Sequence, residues 1–77
     1  MSTPEPLIAP TARKHGIDDD MLHAHRNATD AWDLEDGLVM LVGPDRAGAS
    51  IEIGLVRARD GTSVIVHAMK ARPKYLR

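Results

Sequence analysis

The sequence contains no cysteine, which excludes disulfides and thiolate metal sites as sources of stability. A chain of 77 residues buries only about 60% of its unfolded surface. The missing margin must therefore come from packing, or from a partner that binds the folded state. Long apolar runs are absent as well. The longest, residues 38–42, falls far short of the roughly 20 residues that a membrane-spanning helix requires. The opening residues 1–6 have neither a basic stretch nor an apolar core, so no signal peptide is expected. These absences predict a cytoplasmic protein with no membrane partner. There is also no glycine-rich phosphate loop, no nucleophile elbow and no zinc-binding spacing, which removes the chemistries those motifs carry.

What is present is divided along the chain. Residues 1–43 hold three Lys and Arg against eight Asp and Glu, whereas residues 44–77 hold seven against three. The two surpluses nearly cancel in the net charge of −1. Such asymmetry marks either a polyanion-binding face or two ordinary surfaces that attract each other.

Residues 1–9, with Pro4 and Pro6 and with Pro10 just beyond, read as a flexible lead with at most one helical turn near Leu7 and Ile8. Residues 10–77 read as one domain. A short helix is predicted over residues 10–15, with Pro10 at its first position, Arg13 and Lys14 at the negative end of its dipole, and Gly16 as the left-handed stop. A second helix over residues 18–28 has the clearest start signal. Asp18 is placed to cap it, Asp19 and Asp20 suit the positive dipole end, and Ile17 and Leu22 have the spacing of a hydrophobic staple. Ile17, Met21, Ala24 and Ala28 form its apolar stripe, which predicts Met21 and Ala24 against a sheet with Asp19 and Asp20 exposed.

Beyond residue 30 the period becomes that of strands: 32–34, 38–42, 50–56 and 63–69. The second is apolar on both faces and should be central. Gly43 to Gly48 composes a turn, and Asp60-Gly61 is a two-residue hairpin signal. Pro73 ends the last strand. The order predicts an α+β fold in which two short N-terminal helices pack on a four-stranded, mainly antiparallel sheet.

Few constellations suggest chemistry. The carboxylates of Asp18, Asp19 and Asp20 diverge by about 100° per residue on a helix, and His23 and His25 lack the i, i+4 spacing of a metal pair. No metal or cofactor is expected. His67 lies within the last strand, where period-two alternation puts it on one face with Ile65 and Met69. It is either a hydrogen-bonded histidine at the edge of the core or a general acid/base or phosphate-binding group on an open sheet face. The run 70–77 carries Lys70, Arg72, Lys74 and Arg77, no acid, and the only tyrosine, Tyr75. Such a segment neutralises phosphates and offers a ring to a base, or it is a solvated tail with Tyr75 and Leu76 packed back on the sheet.

Three stretches together, Arg13-Lys14-His15-Gly16-Ile17 with Asp18-Asp19-Asp20-Met21, residues 43–48, and Val64-Ile65-Val66-His67-Ala68-Met69, resemble small actinobacterial toxin-like proteins. These look like the BrnT branch of the RelE/ParE toxin superfamily. The likeness runs from about Thr11 to Tyr75. It implies two helices on one side of a twisted antiparallel sheet and, on the other, a metal-independent endoribonuclease site for messenger RNA. The implied partners are a cognate antitoxin and RNA; apart from the resemblance, the small size of the chain leaves a second copy of it open as a further partner. The resemblance assigns His67, Lys70 and Arg72 to catalysis, and Arg46, Lys74 and Tyr75 to RNA and phosphate. The chain departs from that pattern where residues 38–42 hold no Arg and where His67-Ala68-Met69 replaces Ser-Ala-Arg. Two other functions stay open beside it: an inert protein-interaction module, and a gyrase-directed toxin of the ParE kind.

Overall fold

Alternating β-branched and aliphatic residues in the second half of the chain build the sheet. In the computed structural model, residues 5–14 and 18–75 are described. Strands β2 (Asp30–Asp33), β3 (Leu38–Pro44), β4 (Ser50–Arg57) and β5 (Ser63–Lys70) run antiparallel in sequence order. A further strand, β1 (Leu7–Ile8), adds in parallel to the outer edge of β5, giving the order β1-β5-β4-β3-β2. Residues 38–42, expected to be central, lie in β3, an interior strand between β4 and β2, while the middle of the sheet is β4. Both β3–β4 and β4–β5 turn through three-residue loops that end in a left-handed glycine, Gly48 at φ 88° and Gly61 at φ 89°. In the second of these loops, Arg59 and Asp60 precede Gly61, and Ala58 N donates to Thr62 O at 2.7 Å. The loop is therefore one residue longer than the two-residue turn expected.

One face of the sheet is covered by helix α1 (Asp18–Arg26) and by a 3-10 turn over Pro10–Lys14. Met21 and Ala24 of α1 and Ala12 of the turn are fully buried against Ile53, Ile65 and Ala68. The approach is close. A side chain on Gly43 would overlap the Ala24 carbonyl oxygen, so glycine here is a requirement of packing. Asp19 is exposed, but Asp20 is partly covered, because Arg46 donates to it from both its backbone N (3.0 Å) and its Nε (2.9 Å). Asp18 is the first helical residue, and its carboxylate is taken by Arg13 at 3.0 Å. The helix ends at Arg26, leaving Ala28 exposed. The staple through Ile17 and the Gly16 stop lie outside the described residues.

The predicted architecture needs correcting on two counts. The sheet is five-stranded and mixed, with one α-helix and 3-10 turns, where two helices on four antiparallel strands were expected. Pro10–Lys14 is only five residues long, too short to repay nucleation of an α-helix, and 3-10 geometry suits so short a segment. Leu7 and Ile8 form neither a loose lead nor a helical turn. Flanked by Pro6 and Pro10, they extend and cover the edge that β5 would otherwise leave open. The ion pair from Arg26 to Glu5, 2.9 Å long, ties the segment before β1 to the end of α1.

Candidate functional site

The face away from α1 is organised by an irregularity in β5. Gly54 pairs with His67, yet the next residue of β4, Leu55, pairs with Ile65, so Val66 has no partner across the ladder. A bulge of one residue moves everything beyond it to the opposite face. Ile65 therefore points into the helix-covered core, whereas His67 and Met69 face the other way, beside Glu52 and Gly54. The shared face expected for Ile65, His67 and Met69 is corrected by this bulge. Thr11 Oγ1 donates to the Val66 carbonyl at 2.9 Å, which satisfies a polar group that the bulge takes out of the ladder.

After β5 the chain doubles back over this second face. Ala71 N donates to Ser50 O at 3.1 Å, and a 3-10 turn over Pro73–Tyr75 is closed by Tyr75 N to Arg72 O at 2.9 Å. Ala71 and Tyr75 are buried with Met40 and Val42, and Trp32 packs against them. The two rings lie 5.4 Å apart and tilted by 58°, a geometry that aromatic quadrupoles favour.

Between this return segment and the bulge sits Glu52, with no solvent exposure. Its carboxylate accepts four hydrogen bonds. Arg72 supplies three, from the backbone N (3.0 Å), Nε (2.9 Å) and Nη2 (2.7 Å), and His67 Nε2 lies 2.9 Å from Oε2. Burial alone would push the carboxyl up. The bonds from the Arg72 side chain, the Arg72 backbone and His67 outweigh it and bring the group down from 4.5 to about 2. The Glu52 bond turns Arg72 into a fixed guanidinium, with its carbon 5.5 Å from the centre of the Tyr75 ring. A carboxylate held ionised beneath an imidazole fixes the orientation of the ring, so this pair is suited to proton transfer.

The six residues assigned from sequence are thus distributed unevenly. His67 and Arg72 meet on one carboxylate. Lys74 stands nearby, with Nζ 5.1 Å from the Tyr75 ring centre. Tyr75 itself is turned inward, 8% exposed, so its ring packs on the sheet and presents little surface to a base. Lys70 pairs with Ile51 and, by alternation from His67, belongs to the helix side. Arg46 sits in the β3–β4 turn, bound to Asp19 and Asp20 beside the start of α1. Glu52 and Trp32 were absent from the sequence-based site. Glu52 reads as the solvent-facing member of an alternating strand, and its one signal was an isolated acid opposite a histidine strand and an Arg-bearing return.

Elsewhere, His23 Nδ1 lies 2.9 Å from the Pro44 carbonyl. Among the described residues no three His, Asp or Glu side chains converge as metal ligands would. No helix among them is long and apolar enough to cross a membrane. No protein-family model, curated protein or solved structure matches this chain.

Proposed function

We propose that this chain is the toxin-like member of a type II toxin–antitoxin pair, a cytoplasmic endoribonuclease acting on messenger RNA without a metal, with His67 as its proton-transfer group. The observation that carries the reading is the His67–Glu52 pair: a half-exposed imidazole fixed through Nε2 to a fully buried carboxylate. Its other nitrogen, Nδ1, has no hydrogen-bond partner among the described residues. In this role Nδ1 takes the proton from a ribose 2′-OH, and the 2′ oxygen attacks the adjacent phosphorus. The bond to the 5′ oxygen breaks, and that oxygen takes a proton from solvent. Glu52 stabilises the imidazolium formed, and the cations of Arg72 and Lys74 face the developing phosphorane charge. The BrnT resemblance supplies the substrate class and the antitoxin partner.

Inducible expression of the chain alone tests this reading. Growth arrest with cleaved messenger RNA is expected, relieved by His67→Ala in a variant that stays folded. Harmless expression, with RNA left intact by the purified protein, refutes it. A second reading, a protein-interaction module without catalysis, is favoured by one observation: residues 71–75 lie across the sheet face, and Arg72 is committed to Glu52. Such a module would bind its partner with wild-type affinity after His67→Ala.

A further inference from the structure

Arg72 and His67 do more than meet a common partner: they meet the same atom of it. His67 Nε2 is 2.9 Å, and Arg72 Nη2 2.7 Å, from Glu52 Oε2. The two nitrogens can therefore stand no farther apart than those two bonds laid end to end. Each group spends only one side on the carboxylate. A guanidinium has five N–H donors, and only those on Nε and Nη2 reach Glu52. The N–H groups of Nη1 have no partner among the described residues, and neither does His67 Nδ1.

Exposure divides the same way. The Glu52 side chain is at 0%, while those of His67 and Arg72 are at 35% and 42%. The carboxylate is thus a buried floor from which two polar groups rise to solvent, the Arg72 guanidinium as a donor and the His67 ring with its Nδ1 outward. The carboxylate's charge is matched by that of Arg72, and Lys74 adds a further cation beside them. Arg72 and Lys74 both stand over the Tyr75 ring, 5.5 Å and 5.1 Å from its centre, so two cations gather at one aromatic side chain. The guanidinium is held by three hydrogen bonds from its own residue to Glu52 and loses little further freedom when it binds an oxyanion.

We propose that the outward edges of Arg72 and His67, set by buried Glu52, form a binding site for a phosphate group. A tetrahedral oxyanion offers one edge to the free Arg72 N–H groups and a further oxygen to His67, which a planar carboxylate does not. The proposal rests on the same residues as the ribonuclease reading and names its substrate-binding element, but it requires no turnover.

The test is a titration of the folded protein with inorganic phosphate at constant ionic strength, with chloride as the control. It follows the His67 ring and Arg72 side-chain resonances by NMR. The expected result is a saturable shift at millimolar phosphate, weakened about tenfold by Arg72→Lys, which keeps the charge but loses the fork. Arg59→Ala, in the β4–β5 turn, should bind as wild type. Should Arg72→Lys not fold, His67→Gln serves in its place, with the same weakening expected. A single-stranded thymidine oligonucleotide distinguishes the source: tighter binding than phosphate points to a nucleic-acid strand, equal or weaker binding to free phosphate, and either supports the site. No saturable shift up to about 50 mM phosphate, or wild-type affinity in the folded Arg72→Lys and His67→Gln variants, overturns the proposal. Phosphate binding without RNA cleavage sinks the ribonuclease reading alone. Cleavage without phosphate binding sinks this one.

Discussion

Replacing Glu52 with Gln keeps the volume of the side chain and removes one negative charge from a position with no solvent exposure. The carboxylate now accepts from two Arg72 side-chain nitrogens, the Arg72 backbone and His67. Gln offers a single carbonyl oxygen and a donating amide, so at least one guanidinium N–H is left facing another donor. The wild-type carboxyl lies at about 2 against 4.5 for a free one. Each tenfold step in proton affinity is worth about 1.36 kcal/mol, so the ionised form contributes on the order of 3 kcal/mol. A domain of this length has roughly 4–12 kcal/mol in all. Thermal unfolding at pH 7 should therefore fall by roughly 10–20 °C in Glu52→Gln.

The sign with pH follows from the depressed value. The contribution is complete above about pH 5 and disappears as pH falls through about 2. Melting curves of both proteins should therefore converge on acidification, because the wild-type carboxyl takes up the proton that Gln has no need of. Equal midpoints at pH 7, or a gap that does not narrow between pH 7 and about pH 3, would refute the argument that the ionised carboxylate stabilises the fold.

Two other changes probe the two faces of the sheet. Gly43→Ala drives a methyl group into the Ala24 carbonyl and should destabilise by about 1–3 kcal/mol through overpacking, measured by urea unfolding. An unchanged midpoint would show that α1 does not sit so close. Tyr75→Ala removes the ring against Trp32 and should destabilise by about 3 kcal/mol. It should also shift the emission of Trp32, the one tryptophan in the sequence, to longer wavelength. Unaltered emission would place the return segment elsewhere.

Strand identity was legible because β3 and β5 are short runs rich in β-branched and aliphatic residues bounded by turn residues, and β4 alternates at Ile51, Glu52 and Ile53. Met21 and Ala24 declared their burial by helical spacing. Facing was less legible. Period-two reading carries His67 to the side of Ile65, and nothing in Val64-Ile65-Val66-His67 announces that Val66 drops out of the ladder. The same blindness hid Glu52. An acid between isoleucines looks solvent-facing until a second layer covers that face, and that layer is made by residues 71–75 returning from beyond Pro73. Long-range pairing explains the other miss. Leu7 and Ile8 are too short a segment to show any period, and their strand conformation exists only because β5 offers an edge. The site was half-read: His67 and Arg72 came from residue type, but the carboxylate that joins them came only from the fold.

The parallel pairing of β1 with β5 also orders events in time. Leu7 meets Val64 and Ile8 meets Ile65, so this contact closes a loop spanning most of the described chain, whereas the β3–β4 and β4–β5 hairpins close over three-residue loops. Closure entropy grows with the logarithm of loop length, and distant pairings form slowly. The hairpins assemble first and β1 docks after them. Until it does, β5 presents an uncovered edge, an invitation to strand exchange with another copy. Two residues near the start of the sequence thus act as a late guard on the strand that carries His67.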